Sequence, residues 1–231
     1  MADFNTHFFT ATAVGAVYAT VATKGLSLSM EPALLLAAMT AIGGVLPDID
    51  LKDSTPSKAL FLVLGAITAL LVMMHNAARF SVLELLIIGS VLFIAVRYVL
   101  WALFHLLTVH RGSLHSLAAS AMFGMCAVVL CHLGFGIDAS LSWLSGIGVL
   151  LGSISHLVLD EIYSVDFSGA RFKRSFGSAL KVVDTARWPG SLAVITVTIL
   201  CVWMAPPAEP LFKALQAVDT NWKVWVLQLN F

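Results

Sequence analysis

Apolar runs alternate with short polar stretches along nearly the whole chain of 231 residues. Sustained apolar runs of this kind are typical of α-helices that enter or cross a bilayer. The pattern predicts seven helical segments, near residues 8–23, 33–46, 60–75, 83–107, 115–135, 141–163 and 190–205. The first three are short against the ~20 residues that a spanning helix needs. We therefore expect the first two to be short, tilted or sheltered by neighbouring helices.

The composition then narrows the class of protein. Hydrophobic residues make up 59% of the chain and charged residues only 11%, whereas roughly a quarter of a soluble domain is charged. We predict an all-α, polytopic transmembrane bundle of about six or seven helices, with residues 1–231 as one domain. The formal net charge is zero and no long basic stripe is present, which argues against nucleic acid as a partner. Membrane lipids are the expected partners, and nothing indicates the oligomeric state.

Two polar regions near the C-terminus suggest how the chain sits in the membrane. The basic loop, residues 164–189, holds five Lys and Arg residues against two Asp, so the positive-inside rule places it in the cytoplasm. The last membrane helix and its tail follow over residues 190–231. Residues 205–231 open with three prolines and then space apolar and tryptophan side chains at near-helical intervals. That spacing predicts an amphipathic helix lying on the membrane surface.

The N-terminus and the cysteines favour simple interpretations. The first residues lack a positively charged region and a convincing cleavage site, so we expect the first apolar run to be a retained helix rather than a signal peptide. Cys126, Cys131 and Cys201 lie inside apolar runs without CxxC spacing. We expect them to be small buried side chains rather than disulfide partners or metal ligands.

Ionisable residues gather at the ends of four apolar segments. One group precedes the first segment, one follows the second, one lies between the fourth and fifth, and one ends the sixth. The groups comprise His7, Asp48, Asp50, His110, Arg111, His115, His156, Asp160 and Glu161. In a chain with seven crossings, all four groups fall on the face of the membrane that carries the basic loop. We therefore expect them to converge within a core spanning residues 5–165.

Their chemistry indicates a metal site. Charged groups near hydrocarbon are costly unless they are paired or bound to a metal. His156 and Asp160 are four residues apart, on one face of a helix, and Asp48 and Asp50 are two apart beside Pro47. Imidazole and carboxylate ligands without thiolates suit Zn, and alternatively Mn or Fe. The candidate ligands are His7, Asp48, Asp50, His110, His115, His156 and Asp160, and their number makes a two-ion site plausible.

Two further residues have candidate catalytic roles. Arg111 is suited to hold a phosphate oxygen, and Glu161 could be a ligand, an orienting group or a general base. Each motif also has a simpler explanation as a helix cap, an ion pair or an interfacial anchor. Arg97, deep in the fourth segment, has no role in this scheme; it could snorkel, pair with Glu84 or meet a lipid phosphate.

The ordered set of motifs resembles the membrane-bound, metal-dependent hydrolases of the YdjM-like type, which are LexA-regulated inner-membrane proteins. The resemblance rests on His7, Leu-Pro-Asp48-Ile-Asp50, His110-Arg-Gly-x-x-His115-Ser and Ser-His156-x-x-x-Asp160, and it covers roughly residues 5–165. Leu114, where the family commonly has Thr, and the stretch after Asp160, in place of a Leu-Thr-Pro, depart from the pattern. The family is distantly like zinc-dependent phospholipase C, which implies phosphoester hydrolysis at metal ions.

These observations lead to one expected function and two alternatives. We expect an integral membrane hydrolase that cleaves a phosphoester of a lipid or amphiphile with a metal-activated water, at the cytoplasmic face of a prokaryotic inner membrane. A metal-ion transporter or sensor would use the same ligands, although it needs polar groups near the midplane or on both sides. A non-catalytic membrane adaptor with a structural metal is the third possibility.

Overall fold

The fold is a bundle of apolar α-helices, seen here in a computed structural model that describes residues 3–108, 112–166, 171–172, 180–216 and 218. Its helices are α1 (Phe4–Leu26), α2 (Met30–Gly43), α3 (Thr55–Asn76), α4 (Val82–Ile94), α5 (Trp101–Leu107), α6 (Leu117–Val129), α7 (Ala139–Ile162), α8 (Trp188–Met204) and α9 (Glu209–Gln216). A 3₁₀ turn, Leu46–Asp50, joins α2 to α3. All seven predicted segments are helical, which confirms the predicted fold class.

Five stretches of the described chain are long and apolar enough to cross a membrane. They are Thr55–Asn76, Val82–Leu106, Leu117–Gly134, Ala139–Ile162 and Thr185–Met204. The remaining segments, α1 and α2, do not meet that standard. With 14 residues, α2 is about 21 Å long at 1.5 Å per residue, shorter than a hydrocarbon core of about 30 Å.

The first two helices are sheltered, one of the arrangements expected for them. One stripe of α1 is buried at intervals of three or four residues, and its members are His7, Ala11, Gly15, Ala19 and Ala22. Small side chains allow helix backbones to approach closely, and a Cβ added at Gly15 would lie 2.8 Å from the Ala37 carbonyl oxygen in α2. Both α1 and α2 also pack against α7, so protein covers one side of each helix.

The fourth segment contains a π-helical turn, Ala95–Leu100, that connects α4 to α5. Arg97 lies in this turn, with its guanidinium carbon 5.1 Å from the centre of the Tyr98 ring. Glu84 instead accepts hydrogen bonds from the backbone and hydroxyl of Ser81, each at 2.8 Å. Within the described residues, Arg97 therefore does not form the ion pair with Glu84 that was one of its possible roles.

The C-terminal third has two parts of different character. In the basic loop, Val165–Asp166 pairs antiparallel with Arg171–Phe172. Beyond α8, the helix α9 packs against α7 and α1, and its Leu211 is buried with the core. This helix falls within the amphipathic region predicted over 205–231, and residues 217 and 219–231 of that region lie outside the described part.

Candidate metal centre

His7 enters the centre from the first turns of α1. The Asp3 side chain caps this helix by accepting from the Thr6 hydroxyl at 2.5 Å and the Thr6 backbone N–H at 2.8 Å. These hydrogen bonds lower the pKa of Asp3, which keeps the cap ionised at the helix N-terminus. One turn later His7 is 1% exposed and stacks on His156, with ring centres 3.7 Å apart.

The 3₁₀ turn after α2 directs Asp48 and Asp50 to the same imidazole. Asp50 Oδ2 lies 3.1 Å from His115 Nδ1, and Asp48 Oδ1 lies 3.8 Å from His115 Nε2. Between them Ile49 joins the hydrophobic core. The Ser54 hydroxyl donates to the Asp48 carbonyl at 2.7 Å and caps α3, so the turn is fixed to the next helix.

His115 is held by the turn that starts α6. Its backbone N–H donates to the Gly112 carbonyl at 3.1 Å. Ser116 caps α6 by accepting from the Ala119 N–H at 3.2 Å and itself donates to the Ser113 carbonyl at 2.7 Å. The imidazole is fully buried, so its two nitrogens face the two aspartates rather than solvent.

His156 and Asp160 complete the centre from the last turns of α7, where both are fully buried. The backbones of α2 and α7 nearly touch here, since a Cβ added at Gly152 would lie 2.8 Å from Gly44 N and would overlap the Thr40 carbonyl. This approach brings the Gly44 carbonyl oxygen 2.8 Å from His156 Nδ1. A carbonyl oxygen only accepts, so Nδ1 carries the proton and Nε2 presents its lone pair to the centre.

Two overlapping triads make up the centre. His7, His156 and Asp160 form one, and Asp48, His115 and His156 form the other; within each, the potential ligand atoms lie within 4.8 Å of one another. Asp160 faces two imidazoles, with Oδ1 3.4 Å from His7 Nε2 and Oδ2 3.9 Å from His115 Nε2. His156 Nε2 lies 3.6 Å from Asp48 Oδ1. His7 Nε2 and His156 Nε2 form no hydrogen bond across these separations among the described residues, and the separations leave room for a cation between the groups.

The buried nitrogens of this centre fit a metal. Among the residues that the structure describes, both nitrogens of His7 lack a hydrogen-bond partner, and so does Nε2 of His156. A buried polar atom without a partner costs free energy, and a divalent ion would satisfy such atoms. Histidines that bind metals usually donate their other ring N–H to a carbonyl or carboxylate, as His156 does to Gly44.

The structure places the predicted site residues as follows. Five of them form the triads: His7, Asp48, His115, His156 and Asp160. Asp50 lies against His115 Nδ1, outside both triads. Glu161 is buried beside Asp160 on α7 but also outside them. His110 and Arg111 lie outside the described residues.

The structure adds residues that the sequence did not single out. The backbone N–H groups of Leu117 and Ala118, at the start of α6, donate to the carbonyls of Lys181 and Val182 at 3.0 and 3.1 Å. The end of the basic loop therefore caps the helix that follows His115. Backbone carbonyls carry no residue-type signal, so this contact had no signature in the sequence.

His105 forms a polar contact within the bundle, where its Nε2 lies 2.8 Å from the Ser57 hydroxyl. His132 Nδ1 donates to the Ile137 carbonyl at 2.9 Å, in the turn at the far end of α6. Both lie outside the triads.

Comparison with known proteins identifies one family. The family model described as YdjM inner membrane protein matches residues 1–226. No curated protein and no solved structure matches the chain.

Proposed function

Since the chain belongs to the YdjM inner membrane protein family, we propose that it is a membrane-embedded, metal-dependent phosphoester hydrolase. The observation that carries this proposal concerns the buried imidazoles of His7 and His156. Each directs a ring nitrogen that has no hydrogen-bond partner among the described residues toward a carboxylate. Such an arrangement is costly without a cation between the groups.

Five residues of the triads would hold the metal. The imidazoles of His7, His115 and His156 and the carboxylates of Asp48 and Asp160 offer nitrogen and oxygen ligands without sulfur. That ligand set suits Zn first, and Mn or Fe as alternatives. We assign Asp50 to orienting His115, because its carboxylate meets the nitrogen that points away from Asp48.

The same contacts bear on how many ions the centre holds. His156 has one nitrogen available, since Nδ1 donates to Gly44, so it can bind one ion although it belongs to both triads. Asp160 directs its two oxygens to different imidazoles, so it could contribute one oxygen ligand to each of two ions. We therefore propose two ions.

In this proposal the chain's own residues orient and bind the substrate. A bound divalent ion supplies an activated water and a Lewis acid for displacement at phosphorus. Arg111 would hold a non-bridging phosphate oxygen, and Glu161 would act as a general base or orient a ligand. Because the triads lie at one end of the spanning helices, the headgroup of a lipid or another amphiphile is the expected substrate. From the charge of the basic loop we infer that this end faces the cytoplasm.

Metal analysis of the purified protein tests the proposal. Wild type should retain at least one divalent ion per chain, whereas His156→Ala should lose most of it because both triads contain His156. His75→Ala is the matched control, since His75 is exposed at the end of α3 away from the centre. A panel of phosphoesters should then show activity in wild type and in the control variant only. If wild type holds no more metal than His156→Ala, the proposal is wrong.

A metal transporter is the second candidate, and Arg97 is the observation in its favour. This cation lies within the spanning stretch Val82–Leu106, and no described carboxylate forms an ion pair with it. The triads at one end of the bundle favour surface chemistry instead. Uptake of metal into sealed vesicles that is lost in Asp48→Ala would reverse this ranking.

A further inference from the structure

A groove of about 650 Å³ lies beside the candidate metal centre. Its walls come from the end of α5, the loop 112–114, α6 and the first turns of α8. Leu114 lines the groove, and the next residue, His115, belongs to the centre. The groove and the centre therefore share the backbone of one loop as their common wall.

The groove has one polar end and one apolar end. Thr108, Ser113 and Arg187 line the first, and Phe104, Met122, Val194 and Val197 line the second. The polar end is at the level of the centre, because Ser113 lies two residues before His115. In the first turn of α8, the Ser191 hydroxyl donates to Ser113 Oγ at 3.4 Å. From there the groove follows α8 toward the middle of the bundle. Its volume and its mainly apolar lining are typical of small-molecule sites, at about 300–1,000 Å³.

The side of the groove formed by α8 faces lipid. Only 11% of the spanning stretch that contains α8 is buried, and Ala193 and Val197 are exposed while lining the groove. A wall of this kind is as apolar as a lipid tail. A hydrocarbon chain can therefore enter the groove sideways from the bilayer without passing through water.

The polar end carries a positive charge. Arg187 is exposed, and the nearby Asp184 is paired with Lys181, whose Nζ lies 3.1 Å from Asp184 Oδ2. Trp188, 67% exposed, is of the type that sits at the headgroup level. A guanidinium at this depth complements the phosphate of an anionic lipid.

We propose that this groove binds one hydrocarbon chain of an anionic lipid phosphate and thereby places its headgroup at Arg187 and the candidate metal centre. This inference rests on the proposed function, because it names the substrate class of the same site. The proposal assigns recognition of the hydrocarbon chain to residues of α5, α6 and α8 that do not belong to the triads.

Photolabelling in vesicles tests the proposal without requiring hydrolysis. The full chain is reconstituted in phosphatidylcholine with phosphatidic acid that carries a diazirine in one acyl chain, and labelled peptides are located by mass spectrometry. Label should concentrate on the peptides that contain Met122 and Val194. Ala193→Trp, which fills the groove, should lower this label by about tenfold. Leu192→Trp is the matched control, because Leu192 is 54% exposed on the same helix and does not line the groove.

A neutral probe tests the role of the charge. Diacylglycerol with the same diazirine chain should label the groove less than phosphatidic acid does. The ratio of labelling by phosphatidic acid to labelling by diacylglycerol should fall by about five- to tenfold in Arg187→Gln, as expected for the loss of a charge-assisted hydrogen bond. Equal labelling of all lipid-facing helices, or equal loss in both tryptophan variants, would overturn the proposal. Cross-linking of the groove to a second polypeptide through a benzophenone amino acid at position 193 would also overturn it.

The outcomes separate this inference from the proposed function. Labelling of the groove in a protein that holds no metal would support lipid binding in the groove and contradict metal-dependent hydrolysis. Hydrolysis of a short, soluble phosphoester without labelling of the groove would sustain the hydrolase and reject the groove.

Discussion

Replacing Gly152 by alanine tests whether the close approach of α2 and α7 positions the centre. The new Cβ would overlap the Thr40 carbonyl and lie 2.8 Å from Gly44 N, where ordinary contacts begin at 3.4 Å. To relieve the contact with Gly44 N alone, α2 and α7 must move apart by about 0.6 Å. To relieve the overlap with the Thr40 carbonyl, they must move farther. The hydrogen bond from His156 Nδ1 to the Gly44 carbonyl, now 2.8 Å, would then exceed the length of about 3.5 Å at which it is lost.

Two effects of different size follow from this displacement. Overpacking should lower the free energy of unfolding by about 1–3 kcal/mol. Loss of the group that orients His156 should lower metal affinity by about 10–100-fold. Affinity is measured by competition with a fluorescent chelator, and stability by thermal unfolding of the same detergent-solubilised samples.

Gly146→Ala separates these effects, because it is the same change on the same helix but farther from the centre. Its Cβ would lie 2.7 Å from the Gly124 carbonyl oxygen in α6, so it should lower stability while metal affinity per folded molecule stays near wild type. If Gly152→Ala binds metal as tightly as Gly146→Ala does, the Gly44 carbonyl does not orient His156.

Three further changes have distinct expected outcomes. Asp50→Asn keeps the shape of the side chain but removes its charge, so metal affinity measured by chelator competition should fall by about tenfold; a loss as large as in His156→Ala would mean that Asp50 itself binds the ion. Mild oxidation with iodine should join Cys126 and Cys201, whose sulfurs are 3.6 Å apart, and leave Cys131 as a free thiol in a mass-spectrometric map; a link to Cys131 would contradict the packing of α6 on α8. Ser116→Ala removes the cap of α6 and should lower stability by about 1 kcal/mol in thermal unfolding, whereas an unchanged midpoint would show that the cap contributes nothing.

The helices and the convergence of the motifs could be predicted because both depend on local patterns. Apolar runs define the helices, and polar residues at their ends alternate between the two faces of the bundle as the chain crosses it. The structure accordingly brings His7, Asp48, His115, His156 and Asp160 together. That they bind metal stays a prediction.

Contacts between distant segments could not be predicted in the same way. The spacing of Asp48 and Asp50 suggests a shared target, but only the orientation of His115 determines which nitrogen each carboxylate meets. Cys126 and Cys201 are free thiols that are only partly buried, and their proximity depends on how α6 packs against α8. The groove is a gap between helices, and a gap has no sequence pattern of its own.

The contact between His7 and Asp160 also sets an order of events during synthesis. More than 150 residues separate the two, so at about 5–20 residues per second His7 waits roughly 8–30 s before α7 has been made. Until then its imidazole has neither the stacking partner nor the carboxylate that it meets in the finished bundle. His7, the first residue of the centre to be synthesised, is thus buried late. In a chain that is truncated before α7, Asp160 is missing and this contact cannot form.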